Sequence, residues 1–295
     1  MGKMRGRDHE KLDIANSQVD LRKALERLGS DHEFTKLNLS LIDTDPDDAF
    51  SSIPYEKGSE FLRFLEDLVG EEAFAPFIKV YLGHFQFKCL DSYQFKAFFL
   101  EHFAKSDAAD KLDSIEWAKW LKAPGMPPKL RKVESKLIAD ARALTAKWSR
   151  MDGGDDAEEF KATEQDLNGW VVDQVTLFLD DLLANFQRMV AEGKMTKEAM
   201  KGKEAELKAI YKFHESKNAE ILFRLNLIAL ECDDEEQYDS VKEMLGSIGR
   251  MKFVRPLYKA LIKNPQRREM AAALYAKHKN FYHPICAKMV GLDLS

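Results

Sequence analysis

Cysteine is scarce in these 295 residues, and Cys89, Cys232 and Cys286 are far apart and odd in number. They cannot form a disulfide framework, so reduced thiols in a cytoplasmic protein are expected. Long apolar runs are missing as well: none approaches the roughly 20 residues that cross a bilayer. The opening MGKMRGRDHEKLDIANSQ is basic but lacks the apolar stretch of a secretory signal, so the sequon Asn38-Leu39-Ser40 carries no expectation of glycosylation. There is no basic excess either. A net charge of −5 gives no electrostatic reason to expect nucleic acid or an anionic membrane as partner.

Several catalytic signatures are also absent. A helical zinc-peptidase site needs two histidines four residues apart with a glutamate after the first. His32-Glu33 meets Lys36 at the required position, and His214-Glu215 meets Asn218. Cys89, five residues after His84, lacks partners at useful spacing. No metal ligand set is expected in this chain, nor a nucleophile elbow or a phosphate loop. The GGDD stretch at 153–156 lacks the alternating oxygen ligands of a calcium loop and reads as a solvated acidic turn.

What is present is helical periodicity. In SEFLRFLEDLVG, Phe61, Phe64, Leu65 and Leu68 fall on one face and Arg63, Glu66 and Asp67 on the other. The same spacing recurs in Phe74/Phe77/Ile78/Tyr81/Phe85 and in Phe95/Phe98/Phe99/His102. Asp113 and Glu116 stand at capping-box spacing before Trp117 and Leu121. LKAPGMPPKLRK, residues 121–132, then interrupts the pattern with three prolines and a glycine. Beyond it follow Leu137/Ala141/Leu144/Trp148, Val171/Val175/Phe178/Leu182, Ile221/Leu225/Ile228/Cys232, Tyr238/Val241/Leu245/Ile248 and Leu257/Leu261. Short connections between such helices predict a stack of helical hairpins without a fixed-period motif. The expected fold is all-α, with the segment 35–41 (TKLNLSL) as its one strand candidate. The expected parts are 1–122, a Pro-rich linker at 123–133, and 134–295.

Three polar clusters remain, each with a plain reading beside a functional one. DTDPDDAF, residues 43–50, sets four carboxylates around Pro46; it caps the next helix or lines a site. Tyr55, after Pro54, is a packed tyrosine or one aimed outward. GRMKFVRPLYK, residues 249–259, carries Arg250, Lys252, Arg255 and Lys259, which are solvated or grip a carboxylate.

In this order, DTDPDDAFSSIPYEKG, WAKWLKAPGMPP, GRMKFVRPLYKAL and HKNFYHPICAKMVGLDL resemble the second half of the leukotriene-A4 hydrolase and aminopeptidase family, zinc enzymes of the gluzincin type. The likeness runs from about residue 18 to the C-terminus. It implies the helical lobe of a thermolysin-like peptidase domain followed by an α-α superhelical domain. It further implies that Tyr55 donates its phenolic proton to the oxyanion formed at the scissile carbonyl. On the same resemblance Arg250 and Lys252 bind the free carboxylate of a short peptide substrate. Asp47 lines the pocket and assists the epoxide reaction, and Pro46 belongs with the substrate-binding turn.

Two departures shape the expectation. Phe50 stands where the hydrolase has a tyrosine five residues before the catalytic one, so aminopeptidase rather than epoxide hydrolase activity is expected. The family's zinc motif, exopeptidase motif and N-terminal β-domain have no counterpart in the sequence. The expectation is therefore a C-terminal portion whose zinc and remaining half come from elsewhere, inert by itself and monomeric when complete. Truncation is also expected to leave the faces bearing Phe61, Phe74, Phe98 and Phe99 uncovered. The competing expectation is a non-catalytic helical scaffold derived from the peptidase. Intact Tyr55, Arg250 and Lys252 favour the enzyme.

Overall fold

A computed structural model describes residues 5–150 and 160–295; the turn expected at 153–156 lies outside them. The described residues form helices joined by turns, with no strand. The contacts divide the chain into two units, one of Ser17–Val133 and one of Glu134–Ser295 together with the residues up to Asn16. Helix α1, Arg7–Leu28, thus contributes to both. The sequence-based division differs in this respect, because it assigns all of 1–122 to one part.

In the first unit, helices α2 (Ile53–Val69), α3 (Glu71–Phe85), α4 (Ser92–Phe103) and α5 (Trp117–Lys122) surround an aromatic core. The chain passes from α2 to α3 through Gly70 alone, whose φ of 90° lies where a side chain would be strained. Helix α4 starts on a capping box: Asp91 accepts from the amides of Tyr93 and Gln94, and the Gln94 side chain accepts from the Asp91 amide. The Phe77 ring lies 5.3 Å from Phe99, edge to face, and Phe61 stacks on Trp120 at 5.0 Å. Such pairs add about 0.5–1.5 kcal/mol each beyond their area. Contrary to expectation, Phe61, Phe74 and Phe99 are buried, so these rings cover one another; Phe98 is half-buried.

Two local expectations fail for physical reasons. Residues 35–41 form no strand. The chain makes a short 3-10 turn at Glu33–Thr35, and Asn38 then donates its amide to the Leu121 carbonyl at 2.8 Å. Leu37 packs on the aromatic core while Leu41 is exposed. Alternation of leucines is not enough without a neighbouring strand to pair with. The cap expected from Asp113 and Glu116 is also missing. Asp113 belongs to a separate 3-10 turn, Ala109–Ser114, and Glu116 precedes α5 without a side-chain cap bond, pairing with Lys119 instead.

The Pro-rich stretch 123–133 is fastened to its own unit. Arg131 pairs with Glu66 and Asp67, and its amide donates to the buried Glu60 carboxylate at 2.9 Å. Glu60 also accepts from Arg63 and Gln18, so its charge is fully engaged.

The second unit holds α6 (Lys136–Trp148), α7 (Val172–Ala191), α8 (Lys197–Tyr211), α9 (Ala219–Glu231), α10 (Tyr238–Ser247), α11 (Met251–Lys263), α12 (Arg268–His278) and α13 (Pro284–Leu294). α6 packs on α7, α7 on α9, α9 on α11 and α11 on α13. Each connection past a neighbour builds the two-layered stack that the short loops implied. Polar groups inside it are matched: the Tyr258 and Tyr282 hydroxyls meet at 3.0 Å, and Tyr282 donates onward to the Leu245 carbonyl.

One buried cluster of this unit titrates near neutrality. Lys208 lies between Glu204 and Asp234, all three largely buried. Burial pushes the Glu204 carboxyl up to about 7 against the pull of Lys208, whereas the Lys208 and Lys201 contacts hold Asp234 below its usual range. A raised carboxyl keeps a proton that the unfolded chain releases. Its contribution is complete below the ordinary value of 4.5 and is lost as pH rises through about 7. Glu204→Gln cannot ionise, so the melting temperature of this variant should decline less than the parent's over that window. Parallel curves in thermal scans at matched pH values would contradict the assignment.

Candidate functional site

Tyr55 sits in the first turn of α2, next to Pro54, whose fixed φ suits that position. The ring is 66% exposed and its hydroxyl has no partner among the described residues. Two residues on, Lys57 is completely buried. At about 100° per residue the two side chains leave opposite faces of the helix. Ile53, Lys57, Phe61 and Leu65 follow at intervals of four and are all buried. A lysine thus occupies a core register position.

The Lys57 ammonium donates to three main-chain carbonyls: Thr35 at 2.9 Å, Ala123 at 2.8 Å and Gly125 at 2.9 Å. Three donors meet three acceptors. Burial pushes the ammonium down to about 8, so it stays charged at neutral pH. Around it the Thr35 hydroxyl donates to the His32 carbonyl and accepts from the Gly125 amide at 2.8 Å. Gly125 has φ of 76°, and a Cβ there would stand 3.0 Å from the Ser30 carbonyl oxygen. Glu56 accepts from Ser17, and Gly58 faces Leu37. Each residue after Pro54 in the P-Y-E-K-G stretch therefore has a separate environment, and only Tyr55 is left to solvent.

The acidic turn before α2 is exposed at Pro46 and Asp47. The Asp47 amide donates to Asp45 Oδ1 at 3.0 Å, an Asx turn, while the Asp47 carboxylate has no partner among the described residues. Phe50 is about half exposed. Pro46, Asp47 and Tyr55 accordingly lie on one short stretch of the first unit, all reaching solvent.

Arg250 and Lys252 belong to the second unit, at the start of α11. Arg250 is the N-cap residue, exposed, and its guanidinium has no ion-pair partner among the described residues. Lys252 is engaged. Its ammonium lies 2.7 Å from Glu220 Oε1 and 5.5 Å from the centre of the Phe253 ring. Glu220 accepts as well from Arg224, which pairs with the buried Asp180 at 2.9 Å. Burial works to raise the Glu220 carboxyl, but the bonds from Lys252 and Arg224 hold it below its usual range. Two residues missed by the sequence reading are thus Lys57 and Glu220. A lysine in register with Phe61 and Leu65 was the signal for the first; the four-residue spacing of Glu220 and Arg224 was a weaker one for the second.

No group of three or more His, Cys, Asp or Glu side chains among the described residues could hold a metal ion. The described residues therefore supply no ligand set for a zinc ion. No described helix is long and apolar enough to cross a membrane.

The helical architecture is what this chain shares with known proteins. The sequence model described as "Peptidase family M1 domain" matches residues 3–120, and that of "Leukotriene A4 hydrolase, C-terminal" matches 170–294. Leucine aminopeptidase 2 of Aspergillus clavatus is 40% identical over 275 residues, covering 93% of this chain and 42% of the relative. That of Phaeosphaeria nodorum is 37% identical over 294 residues, 99% of this chain and 45% of the relative. The solved structure of yeast leukotriene A4 hydrolase with bestatin is similar at a TM-score of 0.87 and 32% identity, over 100% of this chain and 47% of that one. The chain belongs to the leukotriene A4 hydrolase and aminopeptidase family and corresponds to its C-terminal portion. It spans less than half the length of these curated relatives.

The Lys252–Glu220 and Arg224–Asp180 pairs differ in burial, and so should their worth. Lys252 and Glu220 are 40% and 31% exposed, against 7% and 2% for Arg224 and Asp180. Lys252→Ala should cost less than about 1 kcal/mol. Asp180→Ala, which leaves the buried Arg224 guanidinium with the Glu220 carboxylate but without its buried partner, should cost more, about 3 kcal/mol. Urea unfolding of both variants checks this, and equal losses would contradict it.

Proposed function

We propose that this chain supplies the oxyanion donor and the carboxylate grip of a zinc aminopeptidase of the leukotriene A4 hydrolase type, which removes N-terminal residues from short peptides when the rest of the family's length is present. The observation that carries the reading is the solvent-facing, unpartnered phenol of Tyr55 on a helix whose other face is buried. A tyrosine with no packing duty at an anchored helix start is available to donate a proton. Its hydroxyl would bond to the oxygen on which negative charge develops as water attacks the scissile carbonyl, and preorganisation makes such a donor effective.

The free carboxylate of a short peptide would be taken by Arg250, as a bidentate fork, and by Lys252, as a point charge. Arg250 is open to such a ligand. Lys252 would have to exchange the Glu220 carboxylate for the peptide's, at small cost given the exposure of that pair. Pro46 and Asp47 would line the peptide's path. Phe50 offers no hydroxyl there, which favours peptide over epoxide chemistry. By itself the chain is inert in this reading, because the metal ligands lie on the remaining part of the family's length. It acts in the cytoplasm, on peptides and not on nucleic acid or membrane, and is monomeric when complete.

The purified chain should keep no stoichiometric zinc after mild chelation and should release no arylamine from aminoacyl arylamides. Either activity or retained zinc would contradict the reading. In an enzyme completed with the zinc-bearing portion of a relative, Tyr55→Phe should lower kcat by about 100-fold or more, the usual effect of losing one oxyanion donor, with KM little changed. Undiminished kcat would remove Tyr55 from the chemistry.

A further inference from the structure

We propose that Lys57 is a positioning residue for Tyr55: by binding the carbonyls of Thr35, Ala123 and Gly125 together, its ammonium fixes the first turn of α2 and with it the place at which the phenol is presented. This rests on the reading of Tyr55 as the oxyanion donor and adds to it the group that aims that donor.

The start of α2 has no side-chain bond from its N-cap residue. That residue, Ser52, has helical backbone angles. The residues ahead of it, 42–48, are exposed or half-exposed and bend through the Asx turn at Asp45. The buried Ser51 hydroxyl accepts from the Ile53 amide at 3.3 Å, and Glu56 accepts from Ser17, so these two bonds hold the turn on one side. At the first position of α2, the buried Ile53 side chain packs in a cluster with Leu21, Ala24 and Leu25, which resists tilting of the helix but is not directional. The Lys57 ammonium supplies three directional bonds, to segments 22, 66 and 68 residues away in sequence.

Satisfying these buried carbonyls is one duty of the charge, and the positioning of Tyr55 is added to it. Burying an ammonium away from any carboxylate is unfavourable, and well-packed apolar side chains commonly replace buried ions without loss. What an apolar residue cannot do is satisfy three convergent carbonyls and fix direction, and orientation is what an oxyanion donor requires. The surroundings are built for the ammonium: Gly125 leaves room that a Cβ would take, and the Thr35 hydroxyl braces the Gly125 amide.

The groups facing the ammonium do not titrate. On the neighbouring segments Asp31 and Glu33 are exposed and Lys36 is half-buried, while other charged side chains are engaged elsewhere: Arg131 with Glu66 and Asp67, Lys122 over the Tyr93 ring, Lys129 over the Phe64 ring, and the His32 imidazole on the Phe34 amide. On α2 itself Glu56 bonds to Ser17 and Glu60 to Arg63. Loss of the Lys57 proton above about 8 is thus a clean perturbation of the clamp.

The test uses the full chain with ring-13C tyrosine, in which Tyr55→Phe identifies one of the eight tyrosine signals. In the parent, the Tyr55 ring signal should be single at neutral pH and should shift or broaden as pH rises through about 8. In Lys57→Met it should be displaced or broadened already at neutral pH and show no such transition, while most other tyrosine signals stay in place. Gly125→Ala, which disturbs one acceptor, should displace it less. If Lys57→Met does not fold, the parent's pH series and Gly125→Ala decide the matter. A Tyr55 signal that is flat with pH in the parent and unmoved in the folded variants would overturn the proposal. The readout is position, not turnover, so a negative result leaves the catalytic reading of Tyr55 untouched, and failure of that reading in the completed enzyme would not alter the signals.

Discussion

A lysine ammonium with three carbonyl oxygens and no anion around it is the contact on which the first unit depends. It joins the entry of α2 to the 3-10 turn at Glu33–Thr35 and to the Pro-rich stretch, two pieces of irregular chain whose main-chain acceptors would otherwise have few partners. Buried carbonyls left unbonded cost about 1–3 kcal/mol each, and one flexible side chain relieves three of them. The desolvation of the charge is the opposing term, visible in the lowered ammonium. The geometry also explains why glycine stands at 125 and threonine at 35, since both serve the same cluster.

From this contact the arrangement of the neighbouring residues follows. With Lys57 turned inward, helical geometry sends Tyr55 outward, and Ile53, Phe61 and Leu65 continue the buried row. Phe61 then reaches Trp117 and Trp120, which connects the clamp to the aromatic core. The second unit uses another device for its cationic helix start. Its chain of charges runs from buried Asp180 through Arg224 and Glu220 to Lys252, with Arg250 left open beside it. A partly exposed lysine held by a carboxylate is already suited to holding another.

Much of the fold was legible in the sequence because period and burial agree in long amphipathic runs. Val175, Phe178 and Leu182 on α7, or Leu225 and Ile228 on α9, are buried as their spacing requires. The misreadings fall where tertiary contacts override local pattern. Leucines at 37, 39 and 41 alternate, yet a strand needs a partner and the Asn38 amide finds the Leu121 carbonyl instead. The prolines at 124, 127 and 128 do interrupt the helices, and Arg131 and the carbonyls of Ala123 and Gly125 tie that stretch to the first unit. Glu116 looks like part of a cap, yet Lys119 takes it. The phenylalanines thought to await a cover have one another. Tyr55, Asp47 and the cationic pair are singled out by family likeness, whereas Lys57 was readable only as an anomaly in a hydrophobic register. No local pattern gives the partners of a buried charge when they are carbonyls far away in sequence.

The clamp can be observed directly. In a 15N-labelled chain at neutral pH, the Lys57 side chain should give an ammonium signal shielded from exchange with water, with couplings across hydrogen bonds to the carbonyl carbons of residues 35, 123 and 125. A Lys57 signal that exchanges as fast as those of the surface lysines, or that lacks these couplings, would contradict the account.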